Sequence, residues 1–266
     1  MQWLLLFVVL IGGWLFCIAP RRNHPPKLKQ LQLFRYAHRG YHDKPQIPEN
    51  SMAAFRQALR FGYGVELDVH LSRDGRLVVM HDESLQRTCG VDREIADLTA
   101  EELKQYHLEG TMERIPFLEE VLPLFAGKTP LIVELKATDG NAAALSRATM
   151  ELLDQYPVDY CIESFHPLVV AWFRKNRPDV IRGQLSGRIK NLNPAVSFVL
   201  RNLLTNAVTR PDFVAYRFAD RRAVSFRLCR KMGAAVFYWT IRTKAEQYAA
   251  EADSGTIIFE QFEANE

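Results

Sequence analysis

The chain has 266 residues, 48% of them hydrophobic, and its 34 lysines and arginines exceed its 31 aspartates and glutamates by three. This length fits one large α/β domain or two small ones, and so small an excess of positive charge argues against a nucleic-acid partner. The four cysteines lie far apart without a Cys-x-x-Cys pair, which argues against both a disulfide framework and a zinc site.

The amino-terminal segment is apolar throughout. Every residue from Trp3 to Ala19 is apolar or glycine, and at about 1.5 Å of rise per residue such a helix just crosses a thin hydrocarbon core. A cleaved signal peptide is disfavoured, because Met1-Gln2 carries no side-chain charge and Pro20 follows the only suitable cleavage site. We therefore predict a transmembrane anchor over residues 1–20.

A polar linker is predicted over residues 21–33, between the anchor and the catalytic domain. The basic residues of this linker lie just after the apolar segment: Arg21, Arg22, Lys27 and Lys29. The amino-terminal side of the segment carries no basic side chain. By the positive-inside rule, this distribution predicts a single-pass membrane protein whose following domain is cytoplasmic.

Apolar runs of strand length alternate with helical patterns over residues 34–266. The strands are predicted at Phe34–Ala37, Gly64–Leu71, Arg76–Met80, Leu131–Leu135, Tyr160–Phe165, Ile181–Leu185, Phe213–Tyr216, Ala235–Thr240 and Thr256–Phe259. A first helix is capped by Asn50 or Ser51, and the later helices are predicted at Phe117–Phe125, Asn141–Gln155, Pro167–Asn176, Pro194–Asn206, Asp220–Met232 and Lys244–Glu251. An irregular stretch over residues 82–116 has one helical piece, capped by Thr99.

About eight strands that alternate with helices predict a parallel sheet with right-handed crossovers. A dinucleotide-binding fold fits less well, because no Gly-x-Gly-x-x-Gly follows any strand. We predict an α/β protein with a (β/α)₈ TIM barrel over residues 34–266 and a hairpin over Glu66–Met80. Chemistry in such barrels lies at the carboxyl ends of the strands. The side chains predicted there are His38, Glu66, Asp68, His81, Glu134, Lys136 and Trp239.

Carboxylates at alternate strand positions predict a metal site. Glu66 and Asp68 lie two apart on one strand and point to the same face, and Glu134 and Lys136 repeat that spacing. Burying two acids is costly unless a cation meets them, and a third acid from another strand makes an all-oxygen site. Such ligands suit Mg²⁺ or Ca²⁺ better than zinc.

Formal charge links this metal to a phosphate. If the three acids converge with Arg39 and Lys136, the site has a net charge of −1, which one divalent ion converts to +1. A phosphodiester monoanion then neutralises it, so binding of metal and of phosphate is coupled. His38 and His81 supply a pair of groups that titrate near neutrality, one to accept and one to donate a proton. Asp82 is expected either to orient a histidine or to form a turn.

Some neighbouring residues admit structural explanations as well. His70 shares the inward face with the two acids of its strand, but a metal-binding role is the weaker alternative. Glu49 and Asn50 are expected to hold the loop and cap the following helix. Trp239 fits a core position as well as a place at the substrate mouth.

These residues resemble the motifs of the glycerophosphodiester phosphodiesterase family from about Phe34 to the carboxyl terminus. The matching segments are His38-Arg39-Gly40, Pro48-Glu49-Asn50-Ser51, Glu66-x-Asp68-Val69, Val79-x-His81-Asp82, Glu134-Leu135-Lys136, Ser164-Phe165 and Trp239-Thr240. The resemblance implies a barrel phosphodiesterase with a small insertion after the second strand, at about residues 82–116, that cleaves glycerophosphodiesters to glycerol 3-phosphate and an alcohol. It further implies an acid/base pair, His38 and His81; metal ligands Glu66, Asp68 and Glu134; and phosphate contacts Arg39 and Lys136.

Two departures from the family pattern lie near the carboxyl terminus. Arg242 stands where the family commonly has asparagine, and Ile257 to Phe262 replaces its usual closing motif. We expect both departures to affect the choice of substrate and to leave the chemistry intact. The alternatives are a lysophospholipase D, favoured by the anchor, and a non-catalytic membrane-bound scaffold, disfavoured by the complete set of site residues. No protein partner is predicted.

Overall fold

The computed structural model describes residues 1–138, 140–189 and 193–264. Its strands are β1 (Tyr36–His38), β2 (Gly64–Leu71), β3 (Leu77–Val79), β4 (Leu131–Leu135), β5 (Tyr160–Ser164), β6 (Arg182–Ser186), β7 (Phe213–Arg217), β8 (Ala235–Ile241) and β9 (Thr256–Phe259). All of them except β3 are parallel to their neighbours, and β1 pairs with both β2 and β9. The eight parallel strands therefore close into the predicted TIM barrel.

Helices surround this barrel, and most of them follow a strand. They are α1 (Gln2–Ile18), α2 (Pro26–Leu31), α3 (Met52–Arg60), α4 (Gln86–Cys89), α5 (Ala100–Leu103), α6 (Leu118–Phe125), α7 (Ala142–Leu153), α8 (Pro167–Asn176), α9 (Pro194–Arg201), α10 (Asn206–Thr209), α11 (Val224–Lys231) and α12 (Lys244–Ala252). The helix predicted over Pro194–Asn206 is shorter than expected, because Leu203 adopts a left-handed conformation (φ 59°) and separates α9 from α10.

Alternate strand residues form two apolar layers. One layer fills the barrel interior with large rings such as Tyr36, Phe213 and Phe237, and the other packs against the helices. Gly183 on β6 has no side chain because a Cβ there would lie 2.2 Å from the Phe213 ring. The interior is therefore a packed core, and the polar strand residues of the candidate site come together at its carboxyl end.

The segment predicted as a linker contains a helix that covers the opposite end of the barrel. Pro26 starts α2, as its fixed φ favours, and the side chains of Leu28 and Leu31 are buried against the interior layer. These leucines lie three residues apart and so share one helix face. The sequence predicts only a polar linker for this stretch, whereas the leucine spacing provides the packing.

The hairpin predicted over Glu66–Met80 is present, since β2 and β3 are antiparallel with Val69 opposite Val79. The following irregular stretch, residues 82–116, contains α4 and α5. Thr99 and Glu102 form a reciprocal capping box at α5, as the sequence indicates. Apolar residues of this stretch, including Leu85 and Leu103, pack against Val78 in a cluster of their own.

The amino-terminal apolar segment forms α1, whose 17 residues are mostly exposed. Its carboxyl end packs on the barrel, where Asn206 Nδ2 donates a hydrogen bond of 3.0 Å to the Ile18 carbonyl and Arg210 Nη1 donates one of 2.7 Å to the Phe16 carbonyl. Within the described part of the chain, no helix combines the length and apolarity that a membrane crossing requires. The expectation of a transmembrane anchor over residues 1–20 is not supported.

Candidate active site

Strand register brings the predicted site residues together at the carboxyl end of the barrel. His38 on β1 is the partner of Glu66 on β2, Asp68 on β2 is the partner of Glu134 on β4, and Glu134 is the partner of Glu163 on β5. Adjacent parallel strands in register place side chains of the same orientation side by side. A continuous row of polar groups thus extends over four neighbouring strands.

Three of these carboxylates form a compact triad that could hold a metal ion. One oxygen from each of Glu66, Asp68 and Glu134 lies within 4.8 Å of the others, and all three side chains are buried. Burial, together with the charges of Asp68 and Glu134, raises the pKa of Glu66 well above its ordinary value. A divalent cation would relieve this repulsion, and a set of three carboxylate oxygens fits the hard ions Mg²⁺ and Ca²⁺.

Two cations lie against the triad. Lys136 Nζ is 3.0 Å from Asp68 Oδ1 and 2.9 Å from Glu134 Oε1, and Arg39 Nε is 3.5 Å from Asp68 Oδ2. Burial alone would raise the pKa of Asp68, but the charges of Lys136 and Arg39 outweigh it and hold that pKa well below its usual range. The five side chains of the charge count therefore converge in the structure.

Each candidate proton-transfer histidine forms a hydrogen bond with a carboxylate. His38 Nδ1 lies 2.6 Å from Glu260 Oε2, and His81 Nδ1 lies 2.6 Å from Asp82 Oδ1. A carboxylate can only accept when ionised, so Nδ1 carries the proton in both rings and Nε2 is left for chemistry. His38 Nε2 lies 3.9 Å from Glu66 Oε2, on the side of the triad.

The surroundings of His38 keep its ring neutral. Burial and the charge of Arg39 lower the pKa of His38 to about 4, although the hydrogen bond that His38 donates to Glu260 opposes this shift. Burial would raise the pKa of Glu260, but the hydrogen bonds with His38 and His42 outweigh it, so this pKa lies far below its usual range. The Nε2 of His38 is therefore unprotonated near neutral pH and available to accept a proton.

The loop after β1 is shaped by left-handed residues. Arg39, Gly40 and Asn50 have φ values of 56°, 79° and 51°, and a Cβ on Gly40 would lie 2.8 Å from that of Ala54. This turn directs the Arg39 amide at Glu66 Oε2, at 3.1 Å. The His-Arg-Gly sequence therefore positions a main-chain donor as well as two side chains.

The segment before α3 supports Asp68, one of the candidate metal ligands. Asn50 Nδ2 donates a 2.8 Å hydrogen bond to Asp68 Oδ2, while Ser51 Oγ caps α3 by accepting one from the Ala54 amide. Glu49 stabilises the loop, because its carboxylate forms ion pairs with Arg39, Lys44 and Arg87. The expected loop and cap roles are thus divided among three consecutive residues, and Asn50 contacts the triad.

His70 and Trp239 occupy supporting positions. His70 Nε2 donates a 3.1 Å hydrogen bond to the main-chain carbonyl of His81, and burial lowers the pKa of His70 to about 4. The Trp239 indole donates a 3.0 Å hydrogen bond to the Ala215 carbonyl and packs edge-on against Phe165, with ring centroids 5.5 Å apart. Trp239 lines a central cavity of about 190 Å³ that also contains the triad residues Glu66 and Glu134.

Sequence reasoning missed two acidic groups of this site. Glu260 follows β9 in a segment that departs from the family pattern, and we expected that departure to bear on substrate choice alone. Its contact with His38 places it beside a candidate proton-transfer group. Glu163, the last residue but one of β5, lies next to the triad, is buried, and has an Oε2 without a hydrogen-bond partner. Its position just before the Ser164-Phe165 motif, two residues from a strand end, was the available signal.

Comparison with known proteins agrees with this geometry. Residues 38–257 match the family model of the glycerophosphoryl diester phosphodiesterase family. The chain belongs to that family. A glycerophosphodiester phosphodiesterase of Caldanaerobacter subterraneus subsp. tengcongensis is 30% identical over 225 residues, which cover 79% of this chain and 86% of the relative.

Two further proteins extend the comparison. Human lysophospholipase D is 34% identical over 164 residues, which cover 55% of this chain and 50% of that protein, so the match spans about half of the relative's length. The solved structure of an Oleispira antarctica phosphodiesterase in complex with the product sn-glycerol-3-phosphate has a TM-score of 0.71 and 25% identity, with coverage of 85% and 92% of the two chains. The chain is thus a TIM-barrel phosphodiesterase of the glycerophosphodiester class.

Proposed function

We propose that the chain hydrolyses glycerophosphodiesters to glycerol 3-phosphate and an alcohol, with one divalent ion and a pair of histidines. The observation that carries this proposal is the arrangement of two histidine–carboxylate pairs, His38–Glu260 and His81–Asp82, around one acidic triad. This arrangement offers a metal-held phosphoryl group one proton acceptor and one proton donor.

The side chains divide the work by charge. Arg39 and Lys136 provide the positive charge that meets the phosphate oxygens, and both are held in place by the triad carboxylates. Glu66, Asp68 and Glu134 would hold Mg²⁺ or Ca²⁺, which when bound polarises the phosphoryl oxygens as a Lewis acid. One histidine takes the proton from the attacking hydroxyl, and the other protonates the departing alkoxide through its Nε2.

Removal of metal tests this proposal directly. We expect excess EDTA to abolish hydrolysis of glycerophosphocholine and Mg²⁺ or Ca²⁺ to restore it. Glu134→Gln should prevent that restoration, because it removes one of the three anionic ligands. Gln155→Ala, which alters an exposed residue after α7, is the matched control. Turnover that is unaffected by EDTA would overturn the metal assignment.

A lysophospholipase D activity is the second candidate. The similarity to human lysophospholipase D over 164 residues supports it, because that stretch is long enough to include much of the barrel. Parallel assays with glycerophosphocholine and lysophosphatidylcholine separate the two activities. Cleavage of glycerophosphocholine without cleavage of lysophosphatidylcholine would rule out the lysophospholipase D activity and support the glycerophosphodiester activity.

We also propose that α1 attaches the domain to the cytoplasmic face of a membrane. The exposed apolar side chains of α1 include Leu6 and Val9, and the basic residues Arg22 and Lys29 that follow are exposed. Sedimentation with vesicles containing anionic lipid should retain the full chain, and the double variant Leu6→Asp, Val9→Asp should remain in the supernatant. Met112→Asp, which alters an exposed apolar residue of the insertion, is the control.

The orientation at the membrane needs a separate measurement. Protease added outside intact cells should leave the barrel uncut, whereas the same protease should cleave it after the cells are opened. Cleavage in intact cells would contradict the cytoplasmic placement.

A further inference from the structure

A fourth acidic side chain, that of Glu163, lies beside the triad and has no role in the proposed chemistry. Its Cα partners are Glu134 on β4 and Gly183 on β6. Cys161, two residues earlier on β5, belongs to the interior layer, so Glu163 points into the barrel as well. The residue is 1% exposed, and it lines the central cavity of about 190 Å³. Glu163 therefore faces the same space as the triad.

The carboxyl group of Glu163 differs from the triad carboxylates in its partners. Each triad carboxylate either forms an ion pair with Lys136 or accepts a hydrogen bond from the Arg39 amide. In contrast, Glu163 Oε2 has no hydrogen-bond partner among the described residues. An unpaired buried acceptor destabilises the folded state, so packing alone does not explain a glutamate at this position.

The neighbouring strands do not provide the missing partner. A Cβ on Gly183 would lie 2.2 Å from the Phe213 ring, so no side chain can reach Glu163 from that position on β6. On β4 the neighbour is Glu134, whose carboxylate is itself paired with Lys136 at 2.9 Å. A partner for Glu163 must therefore come from the cavity, as a ligand or as water.

The chemistry of a carboxyl group determines what kind of ligand can fill this role. Burial and the charge of Glu134 raise the pKa of Glu163 well above its ordinary value, yet a protonated carboxyl still keeps an acceptor oxygen. The partner must therefore be a hydrogen-bond donor, which a phosphodiester monoanion cannot be. A metal ion is better held by the three triad carboxylates, a group that does not include Glu163. The donors that a glycerophosphodiester does offer are the hydroxyls of its glycerol.

The sizes of the neighbouring cavities favour glycerol at this position. Beside His38 the central cavity adjoins an ionic cavity of about 450 Å³. Beside His81 it adjoins a mostly apolar one of about 1050 Å³, whose wall includes Val196 and Val199 of α9. Either of these larger spaces can hold the departing alcohol, which differs in size among glycerophosphodiesters. The smaller central cavity remains for the glycerol.

We propose that Glu163 determines specificity for the polyol portion of the substrate by accepting hydrogen bonds from the glycerol hydroxyls. This inference rests on the proposed phosphodiesterase function and adds a specificity-determining residue to the same site. A site built around a buried acceptor discriminates against an analogue that lacks the donor, because the acceptor is then left unpaired.

Two ligands that differ only in their hydroxyls test the proposal. Glycerol 3-phosphate and propyl phosphate are titrated calorimetrically, in the presence of Ca²⁺, into the wild-type chain and into Glu163→Met, which keeps the side-chain length but removes both oxygens. The wild-type chain should bind glycerol 3-phosphate at least about tenfold more tightly than propyl phosphate. In the Glu163→Met variant this preference should fall below about twofold.

Two further variants and a stability measurement separate hydrogen bonding from packing. Glu163→Gln keeps one acceptor oxygen and should retain part of the preference. Glu151→Gln, which alters an exposed glutamate on α7, is the matched control and should bind both ligands as the wild-type chain does. Without ligand, Glu163→Met should unfold at the wild-type temperature or higher, because it removes an unpaired buried acceptor. A lower unfolding temperature with an unchanged preference would make Glu163 a structural residue and overturn the proposal.

Hydrolysis of glycerophosphocholine by the same proteins separates this inference from the proposed function. If the wild-type chain cleaves the substrate but Glu163→Met retains the full preference for glycerol 3-phosphate, the inference fails and the proposed function stands. If nothing is cleaved but the preference depends on Glu163, the proposed reaction fails while the polyol assignment stands. A wild-type chain that does not distinguish the two ligands also refutes the assignment.

Discussion

The two sides of the acidic triad share one chemical device in contrasting surroundings. On each side, a histidine donates from Nδ1 to a carboxylate over 2.6 Å and leaves its Nε2 free. The cavity beside His38 is small and ionic, whereas the cavity on the His81 side is more than twice as large and mostly apolar. The barrel thus repeats the histidine–carboxylate pair and varies the surface that surrounds it.

This division follows from where each side originates in the chain. The ionic side is formed after β1 and β9, by loops that carry Arg39 and Glu260, while the apolar side is formed after β4, β5 and β6, where α9 lies. Because barrel loops can change without altering the strands, the two sides can vary separately. Substitutions on each side can show how far the ionic side and the apolar side are equivalent.

Removal of either histidine should have the largest effect. His38→Ala and His81→Ala should each lower kcat for glycerophosphocholine by about 10³-fold, since each removes one general acid–base group. Single-turnover kinetics measure the loss, and His107→Ala in the insertion is the matched control. A loss below about tenfold for one histidine alone would show that the two sides are not equivalent in chemistry.

His70 lies on the apolar side and has no carboxylate partner among the described residues. Burial lowers its pKa to about 4, below the value of about 6.5 in the unfolded chain, so the unfolded chain binds the proton first as pH falls. Stability due to this group is therefore complete above pH 6.5 and is lost on acidification towards pH 4, by about 3 kcal/mol.

Urea denaturation of the metal-free protein at several pH values measures this loss. The variant His70→Gln retains a donor for the His81 carbonyl but does not titrate, so the difference between the two unfolding free energies isolates the histidine. A difference that stays constant from pH 6.5 to pH 4 would show that folding does not lower the pKa of His70.

The carboxylates that orient the histidines should have an intermediate effect. Glu260→Gln and Asp82→Asn should each lower kcat by about 30-fold, the value of one charge-assisted hydrogen bond of about 2 kcal/mol. Glu260 raises the pKa of His38, so its replacement should also shift the acid limb of the pH–rate profile to lower pH. Glu260→Asp should recover part of the rate, and an unmoved acid limb would reduce Glu260 to a structural role.

Replacement of Arg242 should have the smallest effect on activity among the residues of the ionic side. Its Nη2 lies 2.7 Å from Glu260 Oε1, but the side chain is 52% exposed, and exposed ion pairs contribute little. Arg242→Gln should lower kcat/KM for glycerophosphocholine less than about threefold. A tenfold loss would indicate that the guanidinium contacts the substrate headgroup.

Residues at strand ends could be predicted because the barrel is specified locally. The apolar runs before His38, Glu66 and Glu134 mark strands, and parallel strands in a closed sheet bring such ends together. The role of Asn50 was harder to predict, because its short side chain suits a helix cap as well as the hydrogen bond that it donates to Asp68. Local pattern therefore determines which residues reach the site but not which partner each one contacts.

The remaining features depend on contacts between distant parts of the chain. Glu260 lies 222 residues from His38, and no spacing rule joins them. The valines of α9 fit a helix that is packed into the core, yet the barrel leaves them as the wall of a cavity. Leu28 and Leu31 lie in a stretch predicted only as a polar linker, and they form a packed helix face because the end of the barrel provides an apolar surface for them.

The closure of the barrel between β1 and β9 also makes the surroundings of His38 depend on the completed sheet. β2 follows β1 along the chain and pairs with one of its edges, but the neighbour at the other edge, which brings Glu260 to His38, is β9 and follows the other described strands. A chain folded only as far as β8 would hold His38, the triad and His81, but it would lack the carboxylate partner of His38 and would leave one edge of β1 unpaired. Local opening at β9 would therefore separate Glu260 from His38 without moving the strands that carry the triad.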